Sequence, residues 1–139
     1  MSFNTLRNAI KTKLDSIPEL KFVDDKHHYA IPGYPAVTFE PSGIQSEEIT
    51  ASDNKRTYIF TLWVHQIMLP NGRDEAIRRL LIAIDAIKNS FDPDYNLGGN
   101  ADMCSPIETK VIGEYEEGNS AVKFALIEYA CTLEEQVTS

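Results

Sequence analysis

The chain has 139 residues, a formal net charge of −8 and a hydrophobic fraction of 42%. This length suits one domain that buries a continuous core without disulfide support. The acidic balance argues against a nucleic-acid-binding protein, because affinity for phosphate backbones comes mainly from Lys and Arg. No apolar stretch has the length of a signal peptide or a membrane span, so the sequence predicts a cytoplasmic protein.

The first half of the chain predicts one helix and two short strands. Apolar residues at steps of three and four, from Phe3 to Ile17, indicate an amphipathic helix that Pro18 limits. Leu20 to Val23 and Ala36 to Glu40 are candidate strands. The polar segment from Ser42 to Arg56 is weakly patterned, which indicates either a long exposed loop or an extended hairpin arm.

The second half predicts a long strand, a second helix and two further strands. Residues 56–69 alternate with apolar side chains on both faces, which indicates a strand that is central in its sheet or faces a partner on both sides. Residues 73–91 form a helix with the apolar residues Ala76, Ile77, Leu80, Leu81, Ile84, Ile87 and Phe91. Residues 107–115 and 121–133 follow as strands. The predicted class is α+β: one domain over residues 1–139, with a mainly antiparallel sheet, two helices packed on it, and residues 136–139 as a loose tail.

The stretch FDPDYNLGGNADMCSP, from Phe91 to Pro106, is the first functional suspect. Oxygen ligands at Asp92, Asp94 and Asn96 match the opening of a calcium-binding loop. Leu97 then occupies the glycine position and Met103 the bidentate glutamate position, which argues against calcium. LGGN also lacks the lysine and the hydroxyl residue of a phosphate loop. The sequence therefore favours a structural turn at Gly98 and Gly99, and chelators should change nothing.

Other chemistry finds no support in the sequence. Cys104 and Cys131 lack metal-ligand spacing and should stay reduced in a cytosol, and the three histidines form no zinc pattern with them. There is no G-x-S-x-G motif or other local nucleophile signature. We expect no catalytic residue, no metal and no cofactor, and hence not an enzyme. Trp63 is either a core residue or an interface anchor, and the acidic pairs at Glu47 and Glu134 are either solvated or partner-facing.

Six segments carry a resemblance to a known family. They are the helix LRNAIKTKLDSI, then YPAVTFEP, the strand KRTYIFTLWVHQ, the helix EAIRRLLIAIDAIKNSFD, the turn NLGGNADMCSP and the strand AVKFALIEYACTLEE. In size, element order and the helix-to-LGG junction the chain resembles the tail terminator, or tail completion, proteins of long-tailed bacteriophages and prophages. The resemblance extends from Phe3 to Glu135.

The resemblance implies a structural virion protein that forms a hexameric ring on the head-proximal end of the tail tube. Such a ring stops tube polymerisation and provides the head–tail joining surface. The implied partners are further copies of the chain, the tail tube protein and a head–tail connector or neck protein, while DNA passes through without specific binding. The implied location is the virion tail, with the host cytoplasm during assembly and no membrane association. Two other classes stay open: another connector or neck protein, and a small-molecule-binding protein or enzyme.

Polar residues on the two least regular segments are the predicted protein interface, because binding residues concentrate on loops held by a rigid scaffold. On the segment between the first long strands they are Glu47, Glu48, Asn54, Lys55 and Arg56. On the turn after the second helix they are Asp92, Asp94 and Tyr95.

Overall fold

The computed structural model describes residues 3–25, 31–48, 53–68, 72–117 and 120–136. Its elements in chain order are α1 (Phe3–Asp15), β1 (Phe22–Asp24), β2 (Ala36–Glu48), β3 (Asp53–Ile67), α2 (Arg73–Phe91), β4 (Met103–Glu117) and β5 (Ser120–Gln136). The strands form one sheet in the order β1-β2-β3-β5-β4. Only β1 and β2 among these pair in parallel, so the predicted α+β class with a mainly antiparallel sheet is confirmed.

Both helices cover the same face of the sheet, which we call the covered face. The apolar stripe of α1 buries Leu6, Ile10 and Leu14. Asp74 and Glu75 lie in the first turn of α2 and Lys88 in its last, so each charge opposes the helix dipole. The sheet contributes alternate residues of its strands to the same core: Val37, Phe39, Tyr58, Phe60, Leu62, Val64, Ala125, Ile127, Tyr129, Cys131 and Leu133.

The other sheet face, which we call the open face, carries the remaining alternate residues. On β3 these include Thr61, Trp63 and His65, and on β5 they include Phe124 and Leu126. Within the described ranges no helix packs on this side, because both helices contribute to a core built from the opposite face. The prediction that β3 is central, with apolar residues on both faces, is confirmed.

Within the polar segment from Ser42 to Arg56, the described residues 42–48 and 53–56 are paired strands that form a hairpin arm and not a loop. β2 continues to Glu48 and β3 begins at Asp53, with a register shift between Pro41 and Gly43. β5 runs beside β3 over its whole length, from Val122 opposite Ile67 to Gln136 opposite Asp53. The weak pattern arises because the backbone ladder, rather than apolar burial, holds the polar part of the arm together.

The last two strands are longer than predicted. β4 begins at Met103, before Pro106, although the sequence prediction starts at Ile107. Pro106 is tolerated because β4 is an edge strand and its register shifts between Pro106 and Glu108. Gln136 is the last residue of β5, so the predicted loose tail starts one residue too early; residues 137–139 lie outside the described ranges.

One residue of the predicted apolar face of α2 is misplaced. Leu81 is 46% exposed and Ile82 is 43% exposed, whereas Ala83 is fully buried. A helix resting on a sheet buries one stripe. In α2 that stripe consists of Ala76, Leu80, Ala83, Ile84, Ile87 and Phe91, and Leu81 lies outside it on the solvent side. Within the described residues, neither helix is long and apolar enough to cross a membrane.

Candidate functional site

The turn segment, residues 92–102, links the end of α2 to the start of β4. Three successive residues have positive φ angles: Leu97 at 50°, Gly98 at 65° and Gly99 at 89°. Leu97 is 2% exposed and joins the core, which anchors the segment from below. The backbone N–H of Ala101 donates to the Asn96 carbonyl at 3.0 Å, closing the turn. The predicted structural turn at Gly98 and Gly99 therefore lies where the chain reverses in left-handed conformations.

Asp94 holds this turn together. One of its carboxylate oxygens accepts a hydrogen bond from the Gly98 N–H at 2.9 Å, and the other accepts one from Lys13 Nζ at 3.0 Å. The Gly98 bond, followed by the Lys13 bond, holds the pKa of Asp94 below its ordinary value. Asp94 thus ties the turn segment to α1, and its oxygens are engaged within the chain.

The neighbouring predicted interface residues are accessible. Asp92 is exposed and Tyr95 is 60% exposed. Among the residues that the structure describes, no group of three or more His, Cys, Asp or Glu side chains could hold a metal ion. His27 and His28 lie outside those residues. The turn segment is a shaped surface that presents Asp92 and Tyr95.

The hairpin arm pairs its charged residues across strands. Glu47 lies opposite Lys55 on β3, and Lys55 lies opposite Glu134 on β5, so the cation is flanked by two acidic neighbours. Lys55 and Glu47 are exposed, whereas Arg56, opposite Ser46, is half-buried. Asn54 is half-buried and pairs with Glu48, whose backbone alone is described.

The arm and the turn segment lie at the same end of the sheet. The Glu134 N–H donates to Asp102 Oδ2 at 2.8 Å, and the Asp102 N–H donates to the Thr132 carbonyl at 2.9 Å. Since Glu134 is opposite Lys55 in the register, these bonds join the end of the turn segment to the strand beside the arm. The structure therefore brings the two predicted interface segments to one end of the molecule, which the sequence did not predict.

The two cysteines, distant in sequence, meet beneath the turn segment. Cys104 on β4 lies directly opposite Cys131 on β5, and both thiols are free and buried. A hydrogen bond from Cys131 lowers the pKa of the Cys104 thiol, and that same bond, with burial, raises the pKa of Cys131. The sequence does not predict this contact, because strand register is a tertiary property.

A concavity of about 570 Å³ lies on the open face, towards the sheet end opposite the turn segment. We call it the aromatic basin and define it by Glu40, Trp63, His65, Tyr115 and Phe124. The Trp63 and Phe124 ring centroids are 5.7 Å apart with planes tilted by 32°. The Tyr115 and Phe124 centroids are also 5.7 Å apart, at 56°. These rings form one continuous aromatic lining across three strands.

His65 is the floor of the basin. Its Nε2 lies 3.0 Å from Thr38 Oγ1 and its Nδ1 lies 3.0 Å from the Tyr115 hydroxyl. A neutral imidazole has one donor and one acceptor, and each hydroxyl can serve as either, so both ring nitrogens are satisfied. The Tyr115 ring stands edge-on to His65 at 89°. Through its hydroxyl, Tyr115 is therefore held in one orientation beside Phe124.

This network orients the side chains that line the basin. A hydroxyl beside an imidazole can be a nucleophile and its base. Thr38 is only 1% exposed and His65 is fully buried, so a reacting carbonyl cannot reach the Thr38 hydroxyl. What the basin offers to solvent is its aromatic rings and the exposed carboxylate of Glu40. The arrangement is suited to binding.

Sequence reasoning raised Trp63 as core or interface anchor and did not identify its companions. Trp63 is half-buried on the open face and does not belong to the core between the sheet and the helices. The alternation along β3 does indicate from sequence that Trp63 and His65 lie on one face of the strand and Phe60 and Leu62 on the other. Tyr115 and Phe124 come from other strands, and only the register places them beside Trp63.

No protein-family model matches this chain, and a search of curated proteins finds no match.

Proposed function

We propose that this chain is a tail terminator protein of a long-tailed phage or prophage, which caps the head-proximal end of the tail tube as a ring. The resemblance of its segments to that family motivates the proposal. The observation that supports it best is the division of the sheet into two unlike faces. The covered face holds the core, while the open face and the sheet end with the arm leave two distinct contact surfaces.

A closed ring of identical subunits needs such distinct surfaces. Its contacts are heterologous, so each subunit presents one patch to the neighbour on its left and a different patch to the neighbour on its right. A cap also needs a third surface that matches the tube end and an outer surface that rejects further tube protein. The hairpin arm and the turn segment, gathered at one sheet end, supply a polar surface of this kind.

The net charge of −8 fits a lumen that DNA crosses. An acidic wall repels the phosphate backbone, so a passing duplex is not held. In this assignment the ring belongs to the virion tail and assembles in the host cytoplasm, with the tail tube and the neck as its partners.

Electron microscopy of the purified protein, alone and mixed with tail tubes, tests the proposal. We expect six-fold rings on tube ends, and tubes that no longer elongate when tube protein is added. Binding to tail-free heads with no binding to tubes would assign the chain to the neck instead. A monomer that ignores both would overturn the proposal. Sedimentation of the free protein shows whether the ring exists before it meets the tube.

A further inference from the structure

The aromatic basin carries an inference that does not rest on the tail assignment. We propose that it binds the cationic side chain, arginine or lysine, of a different and basic protein. The chemistry of the lining, the rigidity of its rings and the charge of the surrounding chain all favour such a ligand.

The lining combines aromatic rings with the carboxylate of Glu40. Trp63, Tyr115 and Phe124 line one concavity together with Glu40, whose carboxylate is exposed at its edge. Glu40 on β2 and Glu128 on β5 lie on either side of Thr61, which precedes Trp63 by two residues on the same face of β3. The faces of aromatic rings attract cations, Trp most strongly, and a neighbouring carboxylate adds to that attraction. An anion or a purely apolar group would leave the carboxylates unmatched.

The rings are held in place before any ligand arrives. The Tyr115 hydroxyl is 3.0 Å from His65 Nδ1, and His65 is fixed from its other nitrogen by Thr38. Phe124 lies between Tyr115 and Trp63, 5.7 Å from each. A lining that is already ordered loses little conformational freedom on binding, which favours even a small ligand group.

The occupant is better supplied by another protein than by a second copy of this chain. The chain has 21 acidic and 13 basic residues, so its net field attracts a basic protein at long range. Most of its described cations are already paired: Arg7 with Asp25, Lys11 with Asp15, Lys13 with Asp94, Arg73 and Lys123 with Glu114, and Arg78 and Arg79 with Glu75. Lys110 lies on the open face opposite Leu126, has contacts of its own, and does not line the basin.

Trp63 is the sole tryptophan of the chain, so its fluorescence reports directly on the basin. The experiment titrates the full chain with a capped Gly-Arg-Gly peptide, at constant ionic strength. The matched probe is the same peptide with citrulline, which keeps the shape and loses the charge. We expect a saturable change in Trp63 emission with the arginine peptide, with a dissociation constant on the order of millimolar, and none with the citrulline peptide.

Two substitutions on one strand separate a local site from general attraction to an acidic protein. Glu40→Gln removes the carboxylate of the basin, and we expect it to weaken arginine binding by about two- to fivefold. Glu47→Gln removes an exposed carboxylate of β2 outside the basin and should leave the affinity unchanged. Both side chains are exposed, so both variants should fold.

Trp63→Leu tests the aromatic contribution, with binding followed by broadening of the peptide resonances in NMR. We expect a loss of affinity of about two- to thirtyfold. If Trp63→Leu does not fold, the comparison of Glu40→Gln with Glu47→Gln still decides. Equal responses to the arginine and citrulline peptides, or equal weakening by the two glutamate variants, would overturn the proposal.

Discussion

At the scale of single residues, Asp94 has a structural role that the sequence did not indicate. The sequence places it among calcium-type ligands and among partner-facing residues. The structure uses one oxygen to hold Gly98 and the other to hold Lys13, which leaves the carboxylate engaged inside the chain. Its companion Asp92 is exposed, although it is only two positions away.

Asp94→Asn should destabilise the protein by about 1 kcal/mol at pH 7, because it removes the charge from two hydrogen bonds at a partly exposed site. The folded pKa of Asp94 is lowered from 3.8, so its contribution is fully present above pH 3.8 and is lost as the pH falls through the depressed folded value. Denaturant unfolding of both proteins at pH 7 and below pH 3 measures the difference in the free energy of unfolding at each pH. Asp92→Asn changes an exposed carboxylate two positions away, and as the matched control it should leave the free energy of unfolding at pH 7 within about 0.5 kcal/mol of that of the original protein. An Asp94→Asn effect of equal size at both pH values would contradict the assignment.

The two cysteines are a second case at this scale, because the chemistry open to Cys104 depends on Cys131 lying opposite it. The Cys104 N–H donates to the Tyr95 carbonyl rather than across the ladder, so Cys104 and Cys131 form a non-hydrogen-bonded pair. Such pairs bring the two Cα atoms to about 4.5 Å, within the range that a disulfide spans.

Oxidation with diamide should therefore join Cys104 to Cys131 within the same chain. The two thiols lose their hydrogens to the azo bond of diamide, which is reduced to the hydrazine as the sulfur–sulfur bond forms. Intact mass and peptide mapping after proteolysis detect the cross-link, which dithiothreitol should reverse. Cys131→Ser removes the partner thiol and should give no intramolecular product. Formation of dimers alone in the native protein would show that the pair is not aligned as described.

At the scale of elements, the turn segment is set by backbone conformation more than by side-chain chemistry. Its glycines lie at φ angles of 65° and 89°, and an added Cβ at Gly99 would meet no atom within 4 Å. Substitution there is limited by the left-handed conformation itself, because an L side chain crowds its own carbonyl. Gly43 and Gly113 also have open space, without a positive φ.

Gly98→Ala and Gly99→Ala should each lower the free energy of unfolding by about 1 kcal/mol. Gly43→Ala, on β2, should change it by less than about 0.5 kcal/mol. Urea unfolding of the three variants compares two positions with positive φ against one strand position, and an added Cβ has room at all three. If all three lose the same stability, the backbone argument fails. Where ring formation can be followed, the two turn variants should impair it as well.

At the scale of the whole molecule, the arm and the turn segment share one end of the sheet and the aromatic basin lies towards the other. The molecule thus presents separate surfaces, as a subunit with several partners requires. The arm is backed along its whole length by β5, so it presents its charges from a fixed ladder rather than from a free loop.

Charge reversal on the arm, Lys55→Glu with Arg56→Glu, should give a folded protein that no longer caps tails. Lys55→Glu places three acidic residues in one cross-strand row, which costs up to about 1 kcal/mol and leaves the core intact. Tail length and head joining, scored by electron microscopy in a complementation assay, are the readouts. Lys11→Glu with Lys21→Glu changes the net charge equally and should cap normally. Normal tails with the arm variant would remove the arm from the interface.

The sequence by itself determined the class of the fold, both helices, the central strand and the turn at Gly98 and Gly99. These follow from periodicity, capping charges and glycine chemistry, all of which act between residues close in the chain. Only the tertiary structure decided the hairpin arm, the meeting of Cys104 with Cys131 and the basin around Trp63. Each depends on which strands become neighbours and in what register, and this is fixed when whole strands, far apart in the chain, pair over a shared core.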